Sequence, residues 1–472
     1  MAEPCSGNII FITDSYKVSH HKQYPPNTHT VYSYFESRGG VYPETVFFGL
    51  QYILKKYFVG SVVTKEKIAE AKAVYDAHLG PGIFNEKGWI YIVEKHNGRL
   101  PIRIKAVPEG TVLPYKNVLF TVENTDPNCY WLTNYLETIL VEVWYPMTVA
   151  TLSRAFKEVI IKYLSETADN LDGLPLKLHD FGCRGCSSLE SAALGGAAHL
   201  VNFEGTATIA AIIMARDYYG CPMAGYSRPG SEHSTMNTWG RENEVDAFRN
   251  MLTQFPNGTV ACVSDSYNIW EACGKLWGEE LKDLVEDRGK RGVGPLVVRP
   301  DSGDPPTTVV KVLTILGEKF GTTLNNKGYK LLPSYLRVVQ GDGISYDTLG
   351  KILAHMKENG WSADNVAFGC GGGLLQKVNR DTQKCAYKCS YALVDGKDVN
   401  VFKEPITDMG KKSKKGRLTL EYDNGQWLTT QEGTGNPDKD QLVVVYENGF
   451  LIKDWTFNEI RTKAEIKLVK SS

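Results

Sequence analysis

One pattern recurs through the middle of this 472-residue chain and restricts the folds that it can adopt. A short, apolar, β-rich run ends in a loop rich in Gly, Asp and Ser, and a helical pattern follows the loop. The clearest runs are at 177–181, 259–263, 296–299, 336–340 and 365–368, and 200–203 and 223–226 look like two more strands. Short apolar strands separated by helices predict a parallel sheet made of strand–helix units.

Seven or eight such units in succession predict a closed or nearly closed barrel, and an open, doubly wound sheet is the alternative. Outside this region the pattern stops, and β runs occur at 31–35, 102–107, 118–122, 388–394 and 441–446. We therefore expect an α/β fold with two domains. An irregular (β/α) barrel-like catalytic domain spans residues 151–384, and residues 1–150 and 385–472 together form a mixed, mostly β domain with helices.

The charge balance and the apolar stretches exclude several broad classes of protein. The 53 Lys and Arg residues nearly equal the 54 Asp and Glu residues, which argues against a nucleic-acid-binding protein. The most apolar long stretch, residues 130–152, contains Glu137 and Glu142, so it predicts a buried helix and no membrane span. The first residues lack the basic region of a secretory signal, and we expect a cytoplasmic protein.

Two pairs among the ten cysteines are close in sequence. Two residues separate Cys183 from Cys186, and three separate Cys385 from Cys389. Zinc sites and redox sites can use such spacings, but no His spacing here supports a zinc site. We favour two incidental pairs of buried or half-buried thiols, and we predict no metal-binding residues.

Charged residues and glycines cluster where the predicted strands end. In an α/β barrel the loops that follow the strands carry the reactive groups, and phosphate often binds after the last two strands. The corresponding loops, 341–343 and 369–373, are rich in glycine, which lets backbone N–H groups approach an anion. Turn glycines without a ligand are the alternative. The charged candidates at this edge are Asp180, Asp265, Asp301, Asp342, Arg184 and Arg299.

Each charged candidate has a functional and a structural interpretation. Carboxylates at strand ends can hold ribose hydroxyls or Mg²⁺, and they can equally cap the following helix. Arginines bind phosphate or carboxylate groups bidentately, and they can equally pair with a neighbouring Asp. Acidic residues, arginines and glycine-rich loops on one edge together predict a phosphorylated sugar as the substrate.

His233 and Phe181 are uncharged candidates near the same edge. A loop histidine is either a nucleophile or general base, or a structural residue. Phe181 could stack on a flat ring or belong to the core. The sequence contains no Walker A motif, no G-x-G-x-x-G after a strand and no G-x-S-x-G, so kinase, nicotinamide-dehydrogenase and hydrolase functions lose support.

Several longer stretches resemble nicotinamide phosphoribosyltransferases and follow one another in the same order as in that family. They are TDSYKV at 13–18, LHDFG at 178–182, EHST at 232–235, VSDSY at 263–267, VRPDSG at 298–303, VQGDG at 339–343 and FGCGGGLLQK at 368–377. The resemblance implies the type II phosphoribosyltransferase fold and an obligate homodimer with active sites at its interface. It also implies an activity in NAD salvage. Nicotinamide reacts with phosphoribosyl pyrophosphate to give nicotinamide mononucleotide and pyrophosphate, with Mg²⁺ required and ATP hydrolysis coupled through a phosphohistidine.

The resemblance further implies roles for individual residues. The catalytic residues are His233, which is phosphorylated, Asp265, which orients it, and Asp301. The nicotinamide-binding residues are Phe181, Asp180, Arg299 and Tyr16, the last acting from the partner subunit. The phosphoribose-binding residues are Arg184, Asp301, Gly341, Asp342, Gly371 and Gly372. The residues that bind the diphosphate or ATP are Arg38, Arg380, Lys388 and Lys403.

Three positions depart from the family pattern. Ala207 stands where the family usually has an Asp that accepts a hydrogen bond from the nicotinamide amide, Arg228 replaces a valine near the tunnel that admits the ring, and Ala261 replaces a serine of the pocket. Losing a carboxylate and gaining a guanidinium removes a feature that rejects nicotinate. We expect nicotinamide as the base, with nicotinate as the alternative. A scaffold or signalling protein with a decayed site is a further alternative, against which the intact catalytic residues argue.

Overall fold

The structure is a computed structural model that describes residues 7–407 and 412–467. These residues form two compact units. The first runs to Thr151 and adds Asp217–Cys221 and Asn379–Glu465, and the second combines Leu152–Arg216 with Pro222–Val378 and the residues from Ile466. Among the described residues, no helix has both the length and the apolar character needed to span a membrane.

The strands are numbered in chain order. They are β1 (Thr28–Ser37), β2 (Glu44–Val46), β3 (Ile102–Ala106), β4 (Val112–Pro114), β5 (Val118–Asn124), β6 (Leu178–Asp180), β7 (Gly205–Thr206), β8 (Val260–Val263), β9 (Leu296–Arg299), β10 (Thr323–Leu324), β11 (Lys330–Leu331), β12 (Leu336–Gln340), β13 (Val366–Cys370), β14 (Cys385–Val394), β15 (Lys397–Asn400), β16 (Leu418–Asp423), β17 (Gln426–Gln431), β18 (Val443–Glu447) and β19 (Phe450–Leu451).

The α-helices are numbered in the same way. They are α1 (Leu50–Ile53), α2 (Lys65–Leu79), α3 (Glu86–His96), α4 (Leu132–Tyr135), α5 (Glu137–Val141), α6 (Trp144–Thr167), α7 (Leu189–Leu200), α8 (Ile209–Tyr219), α9 (His233–Asn237), α10 (Glu244–Gln254), α11 (Ile269–Glu271), α12 (Lys282–Arg291), α13 (Pro305–Phe320), α14 (Tyr346–Glu358), α15 (Gly372–Leu375) and α16 (Phe457–Ala464).

An antiparallel sheet forms the frame of the first unit. Its strand order is β15-β14-β1-β5-β3-β18-β19, so strands from both ends of the chain alternate within one sheet. Each of the five β runs predicted outside the barrel overlaps a strand of this sheet. Phe35 of β1 and Phe120 of β5 are fully buried and stack with 4.8 Å between ring centroids. The prediction of a mostly β domain formed by both ends of the chain is confirmed.

A parallel sheet with the order β7-β6-β13-β12-β9-β8 forms the frame of the second unit. Helices α7, α8, α13, α14 and α15 each follow one of its strands. Local sequence determines where these helices begin: Asp304 accepts a hydrogen bond from the Thr307 N–H ahead of α13, and Ser345 caps α14 in the same way. The predicted α/β barrel-like fold is confirmed.

Residues 226–231 close this sheet into a barrel. At one edge the Thr206 N–H of β7 donates to the Tyr226 carbonyl at 3.0 Å, and at the other the Ala261 N–H of β8 donates to the Pro229 carbonyl at 2.9 Å. The Ser231 N–H returns a bond to the Ala261 carbonyl at 3.0 Å. One extended segment therefore connects the two edge strands β7 and β8, and the sheet encloses a lumen.

Two of the predicted strands are wrong. Residues 200–203 do not form a strand, because the Ala-rich helix α7 continues to Leu200 and the strand begins only at Gly205. Residues 223–226 contribute a single bridge, between Tyr226 and Gly205. The apolar residues that suggested a strand at 200–203 are buried by other means, Leu200 and Phe203 at 0% and 1% exposure, whereas Met223 and Tyr226 of the second run are 50% and 47% exposed.

Candidate active site

The barrel lumen of the second unit holds a cavity of about 1620 Å³. Side chains alternate across a strand, so every second residue faces the lumen. Along β6 this places Lys177, His179 and Phe181 in one row on the cavity wall. The cavity is larger than the ~300–1,000 Å³ of ordinary ligand pockets, and it has room for a flat base together with a phosphorylated sugar.

Gly341 marks the point where three predicted site residues meet. A Cβ atom built on Gly341 would lie 3.4 Å from Arg299 Nε, 3.4 Å from Asp301 Oδ1 and 3.5 Å from Phe181 Cε2. The Arg299 guanidinium donates to both carboxylate oxygens of Asp301, at 3.1 Å from Nε and 2.7 Å from Nη2. This bidentate pair fixes the arginine beside the Phe181 ring and keeps part of its guanidinium available to a ligand.

Phe181 follows β6 directly and projects its ring over Gly369 of β13. A Cβ atom at Gly369 would lie 2.0 Å from Phe181 Cε2. Only a residue without a side chain leaves room for the ring there. Asp180, the residue before Phe181, is fully buried and accepts a hydrogen bond from the Gly182 N–H at 2.7 Å. Burial raises the pKa of Asp180, while hydrogen bonds from Gly182 N–H, Thr208 and Thr206 lower it.

His233 and Asp265 form a hydrogen-bonded pair at the rim of the barrel where the parallel strands end. His233 is the first residue of α9, and Asp265 follows β8. The distance between His233 Nε2 and Asp265 Oδ1 is 2.9 Å, and the Ser302 hydroxyl donates to Asp265 Oδ2 at 2.5 Å. The Asp265 side chain is 5% exposed and that of His233 is 42% exposed. A nearly buried carboxylate thus holds an accessible imidazole.

The predicted phosphate-binding residues occupy the neighbouring loops. Arg184 lies on the 3₁₀ turn Cys183–Gly185 after β6 and lines the cavity. Asp342, which follows β12, and Gly371, which follows β13, also line the cavity. A Cβ atom at Gly371 would lie 3.5 Å from the Phe181 carbonyl oxygen, so this glycine loop packs directly on the turn that follows β6. Gly372 begins α15, and a Cβ atom there would meet nothing within 4 Å.

The three residues that depart from the family pattern all line the lumen. They are Ala207, Arg228 and Ala261. Arg228 lies on the segment that closes the barrel, and its Nη1 donates to the Ser227 carbonyl at 2.9 Å. The pKa of His179 is lowered to about 4, mainly by burial and also by the charge of Arg228, while a hydrogen bond with the Leu176 backbone raises it. His179 is therefore neutral near pH 7, and of these two groups Arg228 is the cation.

The remaining predicted residues belong to the first unit. Tyr16 is 60% exposed, and its ring lies at 5.1 Å from that of His20 in an edge contact. Burial lowers the pKa of Lys388, Glu137 raises it, and the charges of Arg38, Arg380 and Lys403 lower it further. These four basic residues, Arg38, Arg380, Lys388 and Lys403, therefore share one electrostatic neighbourhood, which we call the basic cluster.

Ser302, Gly369 and His179 have local roles that were not predicted. Ser302 binds Asp265 across two loops that are 37 residues apart, and the sequence carries no signal for that contact. The positions of His179 and Gly369 could have been predicted from the alternation of side chains along the strands. His179 precedes Phe181 by two residues, and Gly369 stands opposite on the neighbouring strand β13, paired with His179.

Comparison with known proteins identifies the family. Residues 176–449 match the nicotinate phosphoribosyltransferase (NAPRTase) family, and residues 8–104 match the N-terminal domain of nicotinamide phosphoribosyltransferase. A nicotinamide phosphoribosyltransferase of Xanthomonas campestris is 53% identical over 97% of this chain and 98% of its own length. That of Acinetobacter baylyi is 32% identical over 97% of each chain.

A solved structure supports the fold. Human nicotinic acid phosphoribosyltransferase superposes with a TM-score of 0.60 over 96% of this chain and 92% of its own, at 14% identity. The resemblance inferred from the motifs is confirmed by the sequence matches and by the fold. The chain belongs to the NAPRTase family, and within it to the nicotinamide phosphoribosyltransferases, which are pentosyltransferases of NAD biosynthesis.

Proposed function

We propose that this enzyme transfers the phosphoribosyl group of phosphoribosyl pyrophosphate to nicotinamide, giving nicotinamide mononucleotide and pyrophosphate. The observation that carries the proposal is the meeting of Phe181, Arg299 and Asp301 around Gly341. An aromatic face for a flat base thus stands beside a guanidinium and a carboxylate, with Arg184 and Gly371 on the same cavity wall.

The reaction requires positioning and charge stabilisation more than covalent chemistry. Breaking the bond between C1 and pyrophosphate leaves a ribose with oxocarbenium character, and the pyridine nitrogen must lie in line with that bond. Stacking on Phe181 orients the ring, and Asp301 is close enough to bind the ribose hydroxyls. Arg184 and the backbone of the glycine loop would hold the 5′-phosphate through preorganised N–H groups.

The geometry of His233 supports its role as the residue that accepts phosphate from ATP. An ionised carboxylate can only accept hydrogen bonds, so Asp265 Oδ1 fixes the proton on His233 Nε2. The lone pair is then on Nδ1. This nitrogen would attack the phosphorus of the terminal phosphoryl group, and the bond from that phosphorus to the ADP oxygen would break, so that ADP leaves. Water would later hydrolyse the phosphohistidine.

Mg²⁺ and ATP complete the proposed reaction. Mg²⁺ would supply positive charge that neutralises the pyrophosphate leaving group. Mg²⁺ prefers carboxylate oxygens and water, and the exposed Asp342 carboxylate on the cavity wall offers such a donor. The basic cluster of the first unit suits the polyphosphate of ATP or of phosphoribosyl pyrophosphate.

We further propose that the active enzyme is a homodimer in which Tyr16 of the partner subunit covers the second face of the base. The 60% exposure of Tyr16 leaves its ring able to stack on a ligand. Mixing Tyr16→Ala with His233→Ala protein is expected to restore activity in hybrid dimers, because one of the two sites is then intact. Verified hybrids without activity would contradict the role of Tyr16 across the interface.

Replacing Ser302 with Ala is expected to lower ATP-stimulated turnover about threefold to tenfold, because Asp265 loses one donor to its carboxylate. Turnover without ATP should change little, and Ser302→Thr, which keeps the hydroxyl, should restore the stimulation. Steady-state rates with and without ATP measure this. An equal loss in both assays would assign Ser302 a merely structural role.

Replacing Arg228 with Ala is expected to raise the preference for nicotinamide over nicotinate about fivefold, because the lumen loses its attraction for a carboxylate. The ratio of kcat/KM for the two bases measures this preference. Arg337→Ala is a matched control at the other end of the lumen, where Arg337 Nη1 donates to three backbone carbonyls. An unchanged ratio in Arg228→Ala would show that the guanidinium does not face the base.

The proposed function is tested by incubating the purified protein with nicotinamide, phosphoribosyl pyrophosphate, Mg²⁺ and ATP. We expect nicotinamide mononucleotide and pyrophosphate in equal amounts. Folded protein that binds phosphoribosyl pyrophosphate but forms no product would overturn the proposal. Folded protein that does not bind it at all would favour a scaffold protein with a decayed site.

A further inference from the structure

The turn that carries Arg184 holds a cysteine at each end. Residues 183–185 form a 3₁₀ turn in which the Cys186 N–H donates to the Cys183 carbonyl at 3.3 Å. Such a bond between residues i and i+3 brings their Cα atoms within about 7 Å. A disulfide needs Cα atoms about 4.4–6.8 Å apart and side chains directed to the same side. Side chains three residues apart in a 3₁₀ turn lie on the same side, and both cysteines line the same cavity.

These two thiols differ from most of the others in their accessibility. Burial raises the pKa of five thiols to about 12, those of Cys129, Cys262, Cys273, Cys370 and Cys385. A thiol with so high a pKa hardly reacts, because the thiolate is the reactive form. Cys183 and Cys186 are half-buried and reduced in the structure. An oxidant in the cavity therefore reaches a pair of thiols that are already adjacent.

The second cysteine pair of the sequence cannot form a disulfide. Cys385 and Cys389 lie on one strand, β14, four residues apart. At about 3.3 Å per residue their Cα atoms are about 13 Å apart, beyond the reach of a disulfide. Cys389 is half-buried like Cys183 and Cys186, so it provides a matched control.

The turn packs against the glycine loop, so a disulfide in the turn would alter the part of the site that we propose binds phosphate. A Cβ atom at Gly182 would lie 2.7 Å from Leu375 Cδ1 and 3.0 Å from the Gly371 carbonyl oxygen. The turn therefore has little room to move without shifting the glycine loop. Arg184 stands between the two cysteines, so a new bond between their sulfur atoms constrains the backbone on both sides of it.

We propose that Cys183 and Cys186 form a reversible disulfide with peroxide as the oxidant, and that this bond weakens binding of the phosphorylated substrate at Arg184. One thiolate attacks the peroxide O–O bond to give a sulfenic acid, and the second thiol displaces water from it to form the S–S bond. Overall, two thiols and one hydrogen peroxide give one disulfide and two waters. The inference about the substrate rests on the proposed function.

Mass spectrometry of the peroxide-treated protein tests the disulfide without any activity measurement. We expect the peptide containing residues 183–186 to lose two hydrogen atoms, and dithiothreitol to reverse the loss. The change should be absent in Cys183→Ser and in Cys186→Ser and present in Cys389→Ser. Phosphoribosyl pyrophosphate should slow the oxidation, because it occupies the same cavity. Oxidation to sulfinic acid without a disulfide would overturn the proposal.

Kinetics of the same samples test the consequence. Peroxide should raise the KM for phosphoribosyl pyrophosphate about tenfold, as expected when one charge-assisted phosphate contact is weakened. Each variant is compared with its own reduced form, and only the protein with both cysteines should respond. A disulfide that leaves KM unchanged would overturn the link to Arg184. If peroxide still raised the KM in both serine variants, another residue would be the cause.

Discussion

His233→Ala enzyme is expected to lose all stimulation by ATP while it still forms some nicotinamide mononucleotide. In the proposed mechanism the imidazole Nδ1 accepts the phosphoryl group, so ATP hydrolysis should no longer accompany the transfer once the imidazole is removed. The residues around Gly341 that we propose to bind the base and the ribose stay in place. With ATP present, kcat/KM should fall by about 10² or more, the usual effect of removing a nucleophile or general base. Parallel assays of ADP and of nicotinamide mononucleotide measure both effects.

His355→Ala is the matched control for this experiment. His355 lies on α14 and is paired with Glu358 at 3.6 Å, and it is not among the cavity-lining residues. That variant should respond to ATP like the unmodified enzyme. Full ATP stimulation in His233→Ala would contradict the phosphohistidine role, and loss of both activities would assign His233 to the transfer step itself.

Gly369→Ala is expected to reduce kcat/KM for the base about 10²-fold. The added methyl group would lie 2.0 Å from Phe181 Cε2, so the ring must leave its position over the cavity wall. A displacement of about 1 Å in a substrate-orienting group can cost about 10² in rate. Overpacking of this kind also lowers the free energy of unfolding by about 1–3 kcal/mol. Kinetics with varied nicotinamide and a urea titration measure the two effects.

Gly350→Ala tests whether the effect is local. A Cβ atom at Gly350 would lie 3.9 Å from Val159, which is ordinary contact, and Gly350 is inside α14. This substitution should stabilise the protein by up to about 1 kcal/mol and leave the kinetics unchanged. If Gly369→Ala retained normal kinetics, Phe181 would not be the surface on which the base stacks.

Much of the barrel could be predicted because the residue types mark where each strand ends. Strands β9, β12 and β13 are short apolar runs followed by Asp or Gly loops, and Ser345 caps the start of α14. The rim residues followed from the same rule, since carboxyl ends of parallel strands lie together. Phe181, Arg299 and Asp301 were therefore expected at one edge, and the structure brings them together.

Contacts between distant loops could not be predicted in the same way. The barrel closes through backbone hydrogen bonds of Tyr226 and Pro229, and backbone bonds leave no trace in residue type. The run at 200–203 reads equally well as the end of a buried helix, since periodicity does not separate the two for short apolar stretches. The orientation of Asp265 by Ser302 depends on two loops whose separation only the folded sheet determines.

The proposed function requires the lumen to select nicotinamide as its base despite Ala207 and Arg228. It is tested most directly by steady-state formation of mononucleotide from phosphoribosyl pyrophosphate, Mg²⁺ and ATP, with nicotinamide and nicotinate compared in parallel. The proposed function predicts a higher kcat/KM for nicotinamide. A higher kcat/KM for nicotinate would contradict it and would mean that Ala207, which lacks a carboxylate, and Arg228 together have switched the specificity of the site.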